Sequence, residues 1–323
     1  GDEIVIARGT YERGAELVVR AVSGTKNRPI VMRGKDSERP IIQWTDRATS
    51  GGLRFDGVSH WHVSNLEIRN SPDKGIQVFN PGATHNVFKR LFVHNNANTG
   101  VEVFKGSNNR LSGIHSSNNH DTETQGEHAD GIKISGREAT GNHLRHVSTY
   151  QNSDDGIDLW TSRETTAERC RSWQNGYSPK GDGFGFKLGG AGSGVKTGGH
   201  RIVRCVAHKN SSTGFGGNGS TIPVTLYNTT AHKNPTNYRI RDDDHELVNN
   251  LAWNGENRVD DAVSIRSNSW QMDIGDPQFL TENPSSSMFL HLSSSSPAID
   301  AGRDVGLEYV GEAPDLGAFE FRS

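Results

Sequence analysis

Four aspartates in the middle of the chain have the spacing of a cation site. Asp130 directly precedes one glycine, and the pair Asp154 and Asp155 precedes another. Asp158 follows that second glycine by two positions. If the fold gathers these carboxylates, they repel one another unless protons or a cation neutralise them. A set of oxygen ligands suits Ca²⁺ rather than zinc. Aspartate before glycine is also ordinary turn chemistry, which is sufficient for Asp182 but not for the group of four.

Lys187 is the candidate general base. It lies in the glycine-rich run of residues 183–190, where the missing side chain of Gly185 leaves room for a substrate. A lysine at the surface has a pKa of about 10.4 and stays charged, but a neighbouring cation lowers that pKa. A lysine base has to be a neutral amine. We therefore expect Lys187 to remove a proton from a substrate that is bound beside the aspartates.

Four further side chains are predicted to contact the substrate. Lys133 and Trp160 lie at outward positions of the strands that carry the aspartates, and Arg239 and Arg241 lie on the same face of a later strand. An exposed tryptophan can stack on the flat face of a ligand, and arginine binds carboxylates. Ordinary surface polarity is the alternative interpretation for each of them.

These residues belong to a repeat. A glycine followed by an apolar, a variable and an apolar residue recurs about every 25–31 positions, as repeat architectures require. The copies begin at Gly75, Gly100, Gly131, Gly156, Gly183 and Gly214, and Asn237 begins one more. A second marker runs in phase with them: Asn96, Asn119, Asn152, Asn175, Asn210 and Asn234. The alternation within each copy is that of a short strand.

The repeat predicts an all-β fold, a single-domain parallel β-helix of about 8–10 coils. We expect the glycine and asparagine positions to be corners with positive φ, and the asparagines to hydrogen-bond along the axis. Residues 1–58 are assigned to the first coils, 59–273 to the central coils with the site, and 274–323 to a closing segment. Cys170 and Cys205 fall at stacked inward positions and are predicted to be buried thiols.

Composition restricts the partners. The net charge is −3, which does not indicate a nucleic-acid or anionic-membrane partner, and no apolar run is long enough to span a membrane. We expect a monomer. The sequence starts in a strand-like run without a signal peptide, so we expect that a leader was removed and that the protein is secreted, to the periplasm or beyond.

Residues 127–190 resemble polysaccharide lyase family nine, the pectate-lyase group with a right-handed parallel β-helix. The resemblance rests on residues 128–133, 152–159 and 183–190. It implies that Asp130, Asp154, Asp155 and Asp158 bind Ca²⁺ and that Lys187 is the Brønsted base. It also implies an acidic polysaccharide substrate, pectate or polygalacturonate first. Rhamnogalacturonan or a glucuronate-containing sheath or exopolysaccharide is the alternative within the family.

The reaction that the resemblance implies is β-elimination at a 4-linked uronic acid. Two alternatives from other classes stay open on the sequence. A glycoside hydrolase on the same fold would use two carboxylates and a water molecule, and the pair Asp154 and Asp155 is compatible with it. A non-catalytic glycan-binding β-helix would bind a polysaccharide without turnover.

Overall fold

Three parallel sheets run side by side along most of the chain, and successive strands visit them in turn. A computed structural model describes residues 1–35, 39–45, 50–190, 194–241, 244–260 and 263–322. The strands are three to five residues long, apart from one of two residues. Each strand pairs with the strand three places later, so every three strands complete one coil. This is the predicted parallel β-helix, and the described residues contain ten coils and the first strand of another.

The first sheet has eleven strands. They are β1 (Glu3–Ile6), β4 (Ile30–Gly34), β7 (Trp61–Ser64), β10 (Val87–Lys89), β13 (Arg110–Ser112), β16 (His143–Arg145), β19 (Thr166–Glu168), β22 (Arg201–Val203), β25 (Thr225–Tyr227), β28 (Glu246–Val248) and β31 (Ser264–Arg266).

The second sheet has ten strands. They are β2 (Thr10–Arg13), β5 (Ile41–Trp44), β8 (Glu67–Arg69), β11 (Phe92–His94), β14 (His115–Ser117), β17 (Ser148–Tyr150), β20 (Arg171–Trp173), β23 (Val206–His208), β26 (Thr230–His232) and β29 (Leu251–Trp253).

The third sheet also has ten strands. They are β3 (Leu17–Arg20), β6 (Leu53–Asp56), β9 (Ile76–Phe79), β12 (Val101–Phe104), β15 (Ile132–Ser135), β18 (Ile157–Asp158), β21 (Phe184–Lys187), β24 (Thr213–Gly216), β27 (Thr236–Ile240) and β30 (Glu256–Val259).

The core is one continuous stack of inward side chains. Ile76, Val101, Ile132 and Ile157 are in register on adjacent strands of the third sheet and are fully buried. Burial of such a side chain contributes about 1.5–3 kcal/mol. Because this core is contiguous, we propose that the chain is one domain. No described helix is long and apolar enough to cross a membrane.

The corners differ in part from the prediction. The six asparagines do form a ladder, but φ is positive at the residue before each of them, as at Asn118 before Asn119. Five of the six predicted glycines do not have positive φ either; only Gly183 does, at 72°. They are needed for close approach: a Cβ at Gly100 would lie 2.0 Å from the Ser116 hydroxyl oxygen. Cys170 and Cys205 are buried and free, as predicted.

The segment after the last strand packs on the outside of the second sheet. Phe289, Leu290 and Ala318 cover Val206 of β23. The Ala318 amide donates a hydrogen bond to the Thr230 hydroxyl at 2.8 Å. This segment therefore covers the apolar outer face of the late coils of the second sheet.

Candidate active site

The third sheet presents a column of charged side chains on its outer face. Lys133, Asp158 and Lys187 are in register on the neighbouring strands β15, β18 and β21. Partners in adjacent strands lie about 4.8 Å apart. Residues from three distant parts of the chain therefore share one surface.

The register corrects the sequence alignment at one coil. Gly185, and not Gly183, occupies the glycine position of β21, because a Cβ at Gly156 would lie 2.8 Å from the Gly185 carbonyl oxygen. Phe186 is in the core, where its ring stacks on that of Phe215 at 4.7 Å. The repeat that begins at Gly183 would direct Phe184 into the core, and that expectation is wrong: its ring lies on the outer face of the sheet, beneath the Arg239 guanidinium. This shift is what aligns Lys187 with Asp158.

The four predicted metal ligands come together. Carboxylate oxygens of Asp130, Asp155 and Asp158 lie within 4.8 Å of one another, and so do those of Asp154, Asp155 and Asp182. All of these side chains are buried except Asp182. Asp182, interpreted from the sequence as a turn residue, is therefore part of the cluster.

Backbone amides orient the carboxylates. Oδ1 of Asp130 accepts a hydrogen bond from the Asp155 amide at 3.1 Å, and Oδ1 of Asp155 accepts one from the Phe184 amide at 2.7 Å. Oδ1 of Asp154 accepts a hydrogen bond from the Asp182 amide at 2.7 Å. Of the cluster's buried oxygens, Oδ1 of Asp158 has no hydrogen-bond donor among the described residues, and Oδ2 of Asp155 is faced by the Lys187 ammonium at 3.0 Å. Such oxygens are costly to bury unless a positive charge faces them.

Burial and mutual repulsion raise the pKa values of three aspartates. Burial is the largest cause in each case. The pKa of Asp130 rises to about 6 although Lys133 opposes the shift, and that of Asp155 rises to about 7 although Lys187 opposes it. The pKa of Asp154 rises to about 10, with Asp130 and Asp155 adding to the effect of burial. The cluster therefore resists holding all of its negative charges without a further cation.

Two lysines neutralise part of this charge. Nζ of Lys133 lies 3.0 Å from Asp130 and 2.7 Å from Asp158. Nζ of Lys187 lies 2.6 Å from Asp182 and 3.0 Å from Asp155. Burial opposes the charge of Lys187, but the carboxylates raise its pKa well above the usual value. The sequence led us to expect a lowered pKa beside a bound cation, whereas the surrounding carboxylates shift the pKa of Lys187 in the opposite direction.

The other predicted substrate contacts surround Lys187. Trp160 is exposed, and its ring centroid lies 5.6 Å from Nζ of Lys187. Arg239 and Arg241 line a depression of about 260 Å³ with Arg258, two and three coils beyond Lys187. Arg258 was missed because polar residues follow Gly255 at the start of its strand, so the glycine, apolar, variable, apolar pattern is not recognisable there.

The donor set fits a divalent cation. It consists of carboxylates only: one buried oxygen, Oδ1 of Asp158, lacks a donor, and three of the carboxyl groups have raised pKa values. A hard cation such as Ca²⁺ prefers this kind of ligand. Asp130, Asp154, Asp155 and Asp158 are the residues that would hold it.

Comparisons with known proteins agree with this geometry. Residues 1–257 match the family model "Pel9A-like, right handed beta helix region". Pectate lyase L of Dickeya chrysanthemi is 30% identical over 99% of this chain and 83% of its own length. Pectate lyase PEL9 of Emericella nidulans is 30% identical over 84% of this chain and 76% of its own length.

Solved structures give the same result. The crystal structure of pectate lyase Pel9A superimposes with a TM-score of 0.89 at 27% identity and covers 100% of this chain and 88% of its own. A rhamnogalacturonan lyase shares the fold, with a TM-score of 0.78 at 21% identity over 91% of this chain and 89% of its own. The chain therefore belongs to the Pel9A-like right-handed β-helix family, polysaccharide lyase family nine, and is a polysaccharide lyase.

Proposed function

We propose that the protein is a secreted, Ca²⁺-dependent lyase that cleaves 4-linked uronate polysaccharides, pectate first, by β-elimination with Lys187 as the base. One observation carries the proposal: the Lys187 ammonium and four carboxylates from neighbouring coils converge on one outer surface. The names of the relatives support pectate as the substrate. An intact polysaccharide is too large to enter a cell and has to be degraded outside it, which supports secretion.

The reaction needs a proton to be taken from C5 of the uronate. A cation at the aspartates would neutralise the C6 carboxylate of the substrate and so acidify that proton. Lys187 takes the proton at Nζ. The electrons of the C5–H bond form a C4–C5 double bond, the C4–O bond breaks, and the leaving oxygen receives a proton.

Nearby carboxylates raise the pKa of Lys187, and a bound cation would weaken their effect. Carboxylates hold the ammonium in place, with Asp182 at 2.6 Å and Asp155 at 3.0 Å. Once positive charge neutralises the carboxylates, their stabilisation of the ammonium weakens and the pKa falls. Lys187 then becomes a base, and its partner Asp182 is exposed on the side from which a polymer can approach.

Trp160, Lys133, Arg239 and Arg241 are proposed to bind the polymer. Trp160 offers an exposed ring beside the base, and Lys133 bridges Asp130 and Asp158. The two arginines supply guanidinium groups for further carboxylates of the substrate. Membership of a lyase family favours elimination over the hydrolase and the non-catalytic alternatives.

A panel of polysaccharides tests the proposal. Polygalacturonate, rhamnogalacturonan and a glucuronan are incubated with the protein, with Ca²⁺ or with chelator, and the ultraviolet absorbance of the new conjugated double bond is followed. We expect absorbance to rise with polygalacturonate and Ca²⁺ only. Chelator-resistant cleavage without an unsaturated product would indicate a hydrolase instead.

The base is tested by Lys187→Ala. Loss of a general base costs about 10²–10⁴-fold in rate, so we expect turnover to fall by that factor while the thermal unfolding curve keeps its shape. Lys89→Ala, at an exposed position on the first sheet, is the matched control and should retain full activity. Near-normal turnover of Lys187→Ala would remove this residue from the base role.

A further inference from the structure

A second depression lies on another face of the molecule. It has a volume of about 480 Å³ and is lined by residues of the second sheet, by corners that join the first sheet to the second, and by the C-terminal segment. Arg171 on β20 belongs to the same coil as Lys187 on β21, but it lies on the second sheet. The depression is therefore separate from the candidate active site.

The lining of this depression has a surplus of positive charge. Arg169, Arg171, Arg204 and Arg322 contribute guanidinium groups, and Glu320 contributes a carboxylate. Glu320 lies 3.9 Å from Arg204, a long ion pair. Among the residues that the structure describes, no carboxylate lies within ion-pairing distance of Arg171. A bound anion would relieve this imbalance.

Aromatic rings stand beside the guanidinium groups. Arg171 lies 5.3 Å from the ring centroid of Phe319 and 5.9 Å from that of Phe289. The imidazole of His291 stacks on Phe319 at 4.1 Å. Burial and then the nearby arginines Arg171 and Arg322 lower the pKa of His291, so the ring is neutral and adds a flat surface rather than charge.

We propose that this depression is a second glycan-binding site, which binds a uronate residue of the polysaccharide through the guanidinium groups of Arg169, Arg171 and Arg204. A carboxylate matches the planar fork of arginine, and the half-buried stacked pair of Phe319 and His291 adds apolar ring surface for a sugar beside it. The proposal takes its ligand class from the proposed function and otherwise goes beyond it. Such a site would hold a long polymer on the enzyme while another stretch of it occupies the active site.

Binding of trigalacturonate by isothermal titration calorimetry is the test. The protein is first stripped of divalent cations with a chelating resin, which should weaken binding at the candidate active site and leave the second site intact. We expect wild-type protein to bind, and Arg169→Glu and Arg171→Gln to bind at least about tenfold more weakly, since each loses a charge-assisted hydrogen bond.

Arg90→Glu is the matched control. Arg90 and Arg169 are both exposed, and both occupy the left-handed corner between a strand of the first sheet and one of the second, with φ of 55° and 52°. Arg90→Glu should bind as wild type does. Arg171→Gln is checked by its thermal unfolding curve, and Arg169→Glu, at the surface, keeps the test valid if Arg171→Gln is unstable.

Kinetics separate this proposal from the proposed function. We expect the pocket variants to keep the wild-type kcat on a trisaccharide and to raise the KM for the long polymer by about three- to tenfold. Equal binding by the pocket variants and the wild type would overturn the second site, whatever Lys187→Ala does. Sulfate that binds as tightly as trigalacturonate would show a plain anion site and overturn the glycan assignment.

Discussion

Two stacks of buried polar side chains lie next to each other on the same coils, and they behave in opposite ways. The asparagine ladder runs from Asn96 to Asn234, and each Nδ2 donates to the next Oδ1 at 2.8–3.1 Å. The aspartate cluster lies between Asp130 and Asp182, and one of its buried oxygens, Oδ1 of Asp158, lacks any donor among the described residues. Stacking stabilises a side chain that both donates and accepts, and destabilises one that only accepts.

This difference separates structure from function. In the amide ladder each side chain donates a hydrogen bond to the next, so the stack needs no bound ion. A carboxylate cluster needs positive charge, which Lys133 and Lys187 supply only in part. We infer that the ladder fixes the coil geometry and that the cluster uses that geometry to bind a cation.

Removal of one charge from the cluster should have the largest effect. In Asp158→Asn, a ligand oxygen becomes an amide and the Lys133 contact at 2.7 Å weakens. Metal catalysis supplies several kcal/mol of stabilisation, so we expect turnover of polygalacturonate to fall about a hundredfold or more. The metal-free protein should be as stable as wild type, because the cluster loses repulsion.

Asp73→Asn is the control for that variant. Asp73 is a surface carboxylate that pairs with Lys74 at 3.3 Å on the way into the third sheet. Its replacement should change neither turnover nor the increase in Tm on addition of Ca²⁺. Wild-type turnover and an unchanged Ca²⁺-dependent Tm shift in Asp158→Asn would contradict the ligand assignment.

The reverse exchange, a carboxylate introduced into the ladder, should cost stability. In Asn119→Asp, the residue loses the donor to Asn152 at 2.8 Å and to Ser116 at 3.1 Å. A buried acceptor without its donor costs about 1–3 kcal/mol, and more when it is charged. We expect the free energy of unfolding at pH 7 to fall by about 3 kcal/mol or more.

Asn118→Asp is the matched control, one position earlier. Asn118 is exposed and has positive φ, which aspartate also tolerates, so urea denaturation should give nearly the wild-type midpoint. If both variants unfold at the same urea concentration, the ladder contributes no more than an ordinary surface amide.

The sequence was sufficient for the parts of the molecule that repeat. Glycine and asparagine markers predicted the coils, the ladder and the convergence of Asp130, Asp154, Asp155 and Asp158. It was ambiguous at β21, because Gly183 and Gly185 both begin a glycine, apolar, variable, apolar pattern. The pairing of Phe186 with Ile157 and the stacking of Phe186 on Phe215 decide between them.

Features that depend on contacts outside the repeat were not predictable. Asp182 contacts Lys187 because the turn before β21 lies across the outer face of the sheet, and turn residues have no periodic signal. The second depression exists because Phe319 and Glu320 return to pack against β20, far earlier in the chain. Strand patterns cannot reveal where a terminal segment without strands will lie.

The pH dependence of stability also distinguishes the ladder from the aspartate cluster, and it is the smallest effect that we expect. The folded pKa values of Asp130 and Asp155, about 6 and about 7, are raised above the unfolded value of about 4. Their contribution is fully present below the unfolded pKa and is lost as pH rises through the folded values, so the share of stability that these two aspartates supply to metal-free protein should decline between pH 4 and pH 7. The neutral ladder has no such dependence.

Bound Ca²⁺ requires ionised carboxylates, so the gap in Tm between Ca²⁺ and metal-free samples should widen with pH, by about 2–6 °C. Buried His200 and His208, whose pKa values burial lowers to about 3, destabilise both samples as pH falls below about 6.5 and cancel in the difference. Calorimetry at pH 5 and pH 8 measures the gap. A gap that stays constant, or narrows as pH rises, would mean that these aspartates are ionised without the cation and that the ladder and the cluster do not differ as argued.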